Sequence, residues 1–383
     1  MQPRNARIGV SLLFFTNGAL FANLVPRYPA IKAELGLTNT IYGVALAMFP
    51  LGALVSGLAA GLLVRRYRSS RVAVAGTIVT GIGVVAAGVS PTWVTLAASL
   101  FLAGAADSIT DVAQNAHGLR VQRAYGRSIL NSFHAVWSIG AVTGGVMGGA
   151  AAGFDIPLGI HLGTSTVLMS LIAVGCYFLM LPGPEPLSKT GELPTQSSVG
   201  PKVAVLSALV VIAVCGALVE DAGSSWAAVY LNGDLGAIPA VAALGFVALV
   251  GAQTVGRLLG DRLVDRFGQR AVARAGGTIA AVGMGAALAF PSVPGTIVGF
   301  AAAGFGVATL VPAAMSGADD LPGLRHGTGL AVVSWLMRIG FLVSPPIVGL
   351  VADTAGLRVG LIVVPLAGVL VVVLARALAG HAK

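Results

Sequence analysis

Gly104–His117 reads GAADSITDVAQNAH, at the end of an apolar run that begins near Trp93. Asp107, Asp111 and Asn115 stand at i, i+4 and i+8. On an α-helix that spacing stacks all three on one face. Two carboxylates in a helix of membrane length are costly unless they face a bundle interior or a water-filled cavity. The stretch therefore predicts an all-α membrane protein, a bundle of helices built around that polar face.

Composition agrees. Of 383 residues, 56% are hydrophobic and 10% charged, with a mean hydropathy of +0.90. A soluble domain carries about 25% charged residues, so an ordinary soluble enzyme is excluded. The 53 glycines suit close helix–helix contact in lipid. The net charge of +9 would suggest nucleic acid in a soluble protein, but its placement assigns it to membrane topology and no nucleic-acid partner is expected. Cys176 and Cys215 lie in apolar runs and offer neither a disulfide framework nor a metal set. No metal and no cofactor is expected. Arg4 and Arg7 precede an apolar run that continues past Phe21 with no clear A-x-A site, which predicts a retained first helix rather than a signal peptide.

Apolar runs of about 20 residues or more fall at 8–26, 39–64, 72–90, 92–118, 129–152 and 158–181, then at 203–231, 240–261, 271–290, 295–317, 328–352 and 358–379. They predict twelve transmembrane helices in two pseudo-symmetric six-helix bundles, residues 1–181 and 203–383. Between them, 182–202 holds Pro182, Pro184, Pro186, Pro194 and Pro201 with Ser, Thr and Gly, and reads as a flexible linker. With the N-terminus inside, 18 Lys and Arg fall on inner segments and three (Arg27, Lys32, Arg358) on outer ones. The positive-inside rule then puts both termini and the linker in the cytoplasm. An internal repeat runs at a constant offset of 200: Leu63-Val64 with Leu263-Val264, Arg66-Tyr67 with Arg266-Phe267, Gly104 with Gly304, Ile139-Gly140 with Ile339-Gly340, Gly149 with Gly349.

Asp261-Arg262-Leu263-Val264-Asp265-Arg266-Phe267-Gly268-Gln269-Arg270, between helices 8 and 9, resembles the inner-loop motif G-x-L-x-D-R-x-G-R-R of the major facilitator superfamily, with Asp261 at its first position. An Asp at a helix end can pair with Arg and cap neighbouring termini, so Asp261, Asp265, Arg266 and Arg270 are expected to form a cytoplasmic latch, with Arg257 paired to Asp261 at i, i+4. In the first-half copy, Gly61-Leu62-Leu63-Val64-Arg65-Arg66-Tyr67-Arg68, Arg65 replaces the Asp and Arg68 the Gly, which degrades the latch there. In helix 5, Gly140-x-x-x-Gly144-Gly145-x-x-Gly148-Gly149 is similar to the antiporter motif G-x-x-x-G-P-x-x-G-G with Gly145 in place of Pro; a small-residue packing face is the favoured reading, since such spacing is common in membrane bundles. Gly104 to Asn115, Tyr125-Gly126-Arg127, Ser132 to Gly140, and Gly256-Arg257-x-x-Gly260-Asp261 resemble the YbjJ-like branch, near the fucose-permease-like carriers. The resemblance implies rocking of two halves about a central cavity and a substrate site at the midplane.

Counting about 1.5 Å per residue puts Asp107 and Arg338 near the midplane, with Asn17 and Gln253 at similar depth; Asp111 lies roughly 10 Å and His134 roughly 9 Å from the inner face. Burial raises a carboxyl pKa and a nearby cation lowers it. Asp107 or Asp111, modulated by Arg338 or His134, could thus load and release H⁺; alternatively Asp–Arg pairing fixes one helix on another. Trp137 and Trp335 either line the cavity or pack. Glu220-Asp221 counts to about 26 Å along helix 7, an outer gate or rim, followed by Trp226 and Tyr230 as an aromatic belt or a stacking surface for a flat ligand. His117, His161, His326 and His381 read as structural. Gly81-Ile82-Gly83 and Gly304-Phe305-Gly306 lack the context of phosphate loops, and no nucleophile–base set is visible, so neither ATP-driven transport nor enzymatic chemistry is expected.

The sequence thus predicts a monomeric secondary transporter of the cytoplasmic membrane that moves a small polar organic solute by alternating access, coupled to H⁺. The alternatives are an H⁺-antiport drug or metabolite exporter and a non-transporting membrane sensor.

Overall fold

In a computed structural model, residues 3–126, 129–183, 200–321 and 328–378 are described. Among them no strand occurs, and twelve helices are long and apolar enough to cross a membrane. Spans 1 to 6 are Arg4–Glu34, Asn39–Gly57, Ser69–Gly88, Trp93–Tyr125, Ser132–Gly153 and Leu158–Tyr177. Spans 7 to 12 are Val203–Asp234, Pro239–Phe267, Gln269–Ala289, Val293–Asp319, Thr328–Ala355 and Leu357–Ala377. Most of the expected linker, 184–199, lies outside the described residues, as do Arg127, Arg325, His326 and His381.

Two expectations about the helices need correction. Spans 4 and 7 are longer than the sequence count allowed, at 33 and 32 residues. At 1.5 Å per residue each is about 50 Å long, well beyond a hydrocarbon core of about 30 Å. Spans 10 and 11 are not continuous. Span 10 breaks between Val293–Val307 and Leu310–Asp319, and span 11 at Met337, between Thr328–Leu336 and Arg338–Ala355.

The fold divides into two compact units. The first holds the described parts of Met1–Ser188 together with Ile238–Val247; the second holds those of Lys189–Ala237 and Ala248–Lys383. In the first, Gly104 of span 4 abuts the Phe49 carbonyl of span 2, and a Cβ on Gly104 would sit inside that oxygen. In the second, Gly304 of span 10 abuts the Leu249 carbonyl of span 8 in the same way. Both partners differ by the sequence offset of 200, so the repeat is one of contacts as well as letters. The helix starts repeat too. Thr92 caps span 4 by accepting from Thr95 N–H, and Ser292 caps span 10 by accepting from Gly295 N–H. Each cap satisfies one of the first-turn donors that a helix leaves unpaired.

The third recurrence carries a cost. Gly268, the glycine of the loop motif, turns the chain between spans 8 and 9 with φ 79° and ψ 154°. Arg68 occupies the same place between the helices Asn39–Tyr67 and Ser69–Gly88 with φ 75° and ψ 142°. An L-residue there clashes with its own backbone, at about 1–3 kcal/mol. Arg68→Gly relieves this, less the roughly 0.5–1 kcal/mol that glycine returns to the unfolded chain. The expected net gain is about 1 kcal/mol, seen as a higher Tm in detergent; an unchanged or lower Tm would show that the turn tolerates arginine.

His117 ties the first unit together near the ends of three spans. Leu181 N–H donates to Nε2 at 3.1 Å, so Nε2 is the bare nitrogen and Nδ1 carries the proton donated to Ser69 Oγ at 2.8 Å. The ring is fully buried and neutral in this arrangement. His117→Ala leaves the Leu181 N–H without its acceptor and is expected to cost about 1–3 kcal/mol, measured as a fall in Tm; retention of the wild-type Tm would remove His117 from the frame of the unit.

Both units also close their last helix with an arginine. Arg120 donates to the carbonyls of Pro182 and Gly183, and Arg270 to those of Arg376 and Leu378. In the second unit the cation suits its place because carbonyls at the end of a helix carry partial negative charge and lack intrahelical donors; in the first unit Arg120 bonds carbonyls of the chain beyond the helix Leu158–Tyr177.

Candidate functional site

The polar face of span 4 points into the first unit. Trp137 Nε1–H, which can only donate, bonds Asn17 Oδ1 at 2.7 Å. That fixes the amide, so Asn17 Nδ2 donates to Asp107 Oδ1 at 2.6 Å. Spans 5, 1 and 4 are joined by a chain of hydrogen bonds running one way, and it ends on a carboxyl oxygen. Asp107 is half-buried and has no cationic partner within ion-pair distance among the described residues. The sequence placed Asn17 and Asp107 at one depth and Trp137 deep; their partnership is new.

One turn on, Asp111 Oδ1 accepts from Asn115 Nδ2 at 2.8 Å and lies 3.4 Å from Gln114 Nε2. The helix Trp93–Tyr125 is unbroken, so Asp107, Asp111 and Asn115 share one face as expected; Asp111 and Asn115 bond each other, and Asp107 bonds span 1. His134 packs edge-on against Phe14, with centroids 5.2 Å apart, and is exposed. It is not among the residues bonded to Asp107.

The second unit carries its own cluster. Glu220 Oε2 on span 7 accepts from Gln253 Nε2 at 2.5 Å and from Arg257 Nη2 at 3.4 Å, both on span 8. Asp221 Oδ1 accepts from Ser225 at 3.3 Å, while its buried Oδ2 has no hydrogen-bond partner among the described residues; Ser344 of span 11 donates instead to Leu218 O at 3.4 Å. Three sequence expectations fail here. Arg257 pairs with Glu220 across helices rather than with Asp261 along its own. Glu220 is level with the mid-span residue Gln253, not at an outer rim, because a helix longer than the bilayer cannot be placed in depth by counting from one end. Trp226 and Tyr230 are fully buried, at 0% and 1% exposure, so they form neither a belt nor a stacking surface.

Of the other expected residues, Asp261 and Asp265 are exposed and form no ion pair among the described residues. Arg266 lies over the Phe267 ring at 5.3 Å, as Arg66 lies over Tyr67 at 5.5 Å. Trp335 is 53% exposed. Arg338, half-buried at the start of the second segment of span 11, has no hydrogen bond or ion pair among the described residues. The glycines of span 5 are accounted for by packing. Gly140, Gly144 and Gly148 abut the carbonyls of Phe15, Ala19 and Asn23; Gly145, Gly149 and Gly153 abut Phe246, Ala243 and Ala240.

Sequence reasoning missed a cluster in the first unit. Arg27, 6% exposed, donates to Ile156 O at 2.7 Å, while His161 Nε2 bonds Asn23 Oδ1 at 2.9 Å. Asn23 Nδ2 already donates to Ala19 O, so Nε2 is the protonated ring nitrogen. The only sequence signal was Arg27's place among the three basic residues of the outer side.

Twelve apolar spans with carboxylates and a guanidinium held inside them define a multi-pass α-helical membrane protein with a functional interior. The family model of the Major Facilitator Superfamily matches residues 10–252 and 211–381. A relative from Sinorhizobium fredii, the uncharacterized transporter y4wD, is 33% identical over 97% of this chain and 97% of its own. The membrane protein MosC of Rhizobium meliloti is 28% identical over 94% of this chain and 87% of its own. The chain belongs to the Major Facilitator Superfamily and is a membrane transporter of a solute rather than an enzyme. Solved structures agree in fold. The nucleoside transporter NupG superposes with a TM-score of 0.76 at 12% identity, over 97% of this chain and 98% of that one. A D-xylose–proton symporter gives 0.69 at 14%, over 97% of each.

Proposed function

We propose that this transporter is a secondary carrier that moves a small polar organic solute in step with H⁺, the proton being held on Asp107. The observation that carries this reading is the one-way chain Trp137 → Asn17 → Asp107. It delivers donors to Oδ1 alone and leaves Oδ2 as the atom that gains and loses a proton. A carboxylate inside a span with no cation beside it is costly while charged, so protonation and exposure to water are the states between which it moves. Span 1 touches this group directly and span 5 through Asn17, so its charge biases the packing of spans 1, 4 and 5; a rearrangement that re-aims them is the physical basis for alternating access.

The two halves, 1–181 and 203–383, rock about a central cavity, and the 18-to-3 charge bias supports both termini in the cytoplasm. The carrier works as a monomer in the cytoplasmic membrane. The likeness of the span 4–5 segment to the YbjJ-like branch supports this assignment without naming a solute. That a D-xylose–proton symporter shares the fold is consistent with H⁺ coupling in this architecture.

The test is flux in proteoliposomes. A solute found by thermal shift to bind the purified protein is expected to accumulate against its gradient when the lumen is alkaline, and to stop when the pH gradient is collapsed. Binding without such accumulation sinks the coupled-carrier reading.

A further inference from the structure

The cluster around Arg27 in the first unit holds a buried positive charge that the described protein does not pair. Arg27 is 6% exposed and spends one nitrogen, Nη2, on the Ile156 carbonyl at 2.7 Å. Its Nε and Nη1 are buried and have no hydrogen-bond partner among the described residues, and none of their carboxylates lies within ion-pair distance. Asp155 is the carboxylate whose charge reaches Arg27, and it does so from an exposed position. A guanidinium stays charged in any surroundings, and a buried charge left unpaired is strongly destabilising.

His161 adjoins it. The ring's Nε2 is held by Asn23 Oδ1, about one turn before Arg27 on span 1, and the Ile156 carbonyl that Arg27 bonds stands just before the turn that carries His161. The charge of Arg27 is felt at the ring. With the proton on Nε2, Nδ1 is a bare acceptor, and it too is buried without a partner among the described residues. At the end of span 5 the carbonyls of Ala150, Ala151 and Ala152 already accept from the N–H groups of Phe154, Ile156 and Asp155, so they are not free for the guanidinium. Span 6 begins beside the cluster at Leu158 with no side-chain cap, and its first-turn N–H groups add positive partial charge. Two buried polar side chains thus converge with three unpartnered nitrogen atoms, and the local charge is positive.

We propose that Arg27 and His161 form a binding site for a small inorganic anion of the chloride class. The anion accepts from the free N–H groups of Arg27. One water, donating to the anion and to His161 Nδ1, joins it to the ring. The anion neutralises the guanidinium and the water supplies the donor that Nδ1 lacks, so both buried groups are satisfied together. A single negative charge balances a single guanidinium, and side chains this well covered leave no opening for an organic acid. Asn23 and Ile156 hold the two cluster residues in place, so the bound ion ties the end of span 1 to the chain that enters span 6. The site is separate from Asp107 and does not depend on the H⁺-coupled reading.

The experiment is thermal unfolding of the purified full-length protein in sodium gluconate, with chloride replacing gluconate at constant ionic strength. Tm is expected to rise with chloride, and to follow the logarithm of its concentration once the site fills. Bromide should act likewise, and sulfate should not. The rise should vanish in Arg27→Gln. It should persist in Arg358→Gln, whose arginine bonds Leu288 O and Ala289 O in the second unit. In His161→Phe the rise should need more chloride; an unchanged dependence there would remove the ring from the site. Arg27→Gln also loses the bond to Ile156 O, so a second measurement uses the unaltered protein. The chlorine NMR line of chloride should broaden in its presence and narrow again when bromide is added. The anion site is overturned if Tm ignores chloride, if sulfate raises Tm equally, if the rise survives Arg27→Gln, or if the chlorine line does not broaden.

Discussion

Asp107→Asn is expected to abolish uphill uptake while sparing exchange. Asn keeps an oxygen at Oδ1 to accept from Asn17, so the chain from Trp137 through Asn17 survives. What it loses is the ability to gain and release a proton at the second atom. With one H⁺ per solute, each pH unit of gradient stores about 1.4 kcal/mol and supports about tenfold accumulation. In the variant the accumulation ratio should fall from about ten to one, with counterflow of labelled against unlabelled solute still measurable at equal pH. Asp111→Asn is the comparison. Its carboxylate is engaged by Asn115 and Gln114 on its own helix, so substitution there should leave the ratio intact. A variant at Asp107 that still accumulates solute about tenfold per pH unit would take the proton away from this residue.

What could be read from the sequence was what a single helix, or a fixed spacing, determines. The offset of 200 was visible in scattered letters, and the structure fills it with physics: a cap at Thr92 and Ser292, a turn at Arg68 and Gly268, a close approach at Gly104 and Gly304. The cap and the turn depend on one residue and its immediate backbone, and the close approach on a residue with no side chain, so each leaves a mark in the string. The burden of Asp107 was legible for the same reason, since a carboxylate in an apolar helix is costly wherever the helix sits. Pairings across helices were not legible. Whether Arg257 meets Asp261 or Glu220 depends on how spans 7 and 8 are rotated about their axes, and hydropathy without clear amphipathy does not state that rotation. Trp226 shows the same limit. In a helix apolar all round, an aromatic residue reads alike whether it faces lipid, ligand or core, and only packing decides. Depth failed for Glu220 because span 7 overshoots the bilayer, so its end is a poor origin for counting.

The paired glycines give the sharpest test that the repeat is structural. Gly104→Ala and Gly304→Ala each add one methyl group where the neighbouring helix presents a main-chain carbonyl, Phe49 O in one unit and Leu249 O in the other. A side chain in the way could rotate; a backbone oxygen cannot, so the two helices must separate along the contact. Overpacking in a tight core costs about 1–3 kcal/mol and sometimes more, and here the rest of the interface moves with it. Both variants are expected to lower Tm by similar amounts and to reduce the monodisperse fraction on size exclusion. Gly163→Ala, in span 6, is the control. Its new methyl group meets nothing within 4 Å, so only helix propensity acts, which favours Ala by about 1 kcal/mol. If Gly104→Ala unfolded at the wild-type temperature, spans 2 and 4 would have to pack with room to spare, and the matching contact in the second unit would lose its claim to be the same joint built twice.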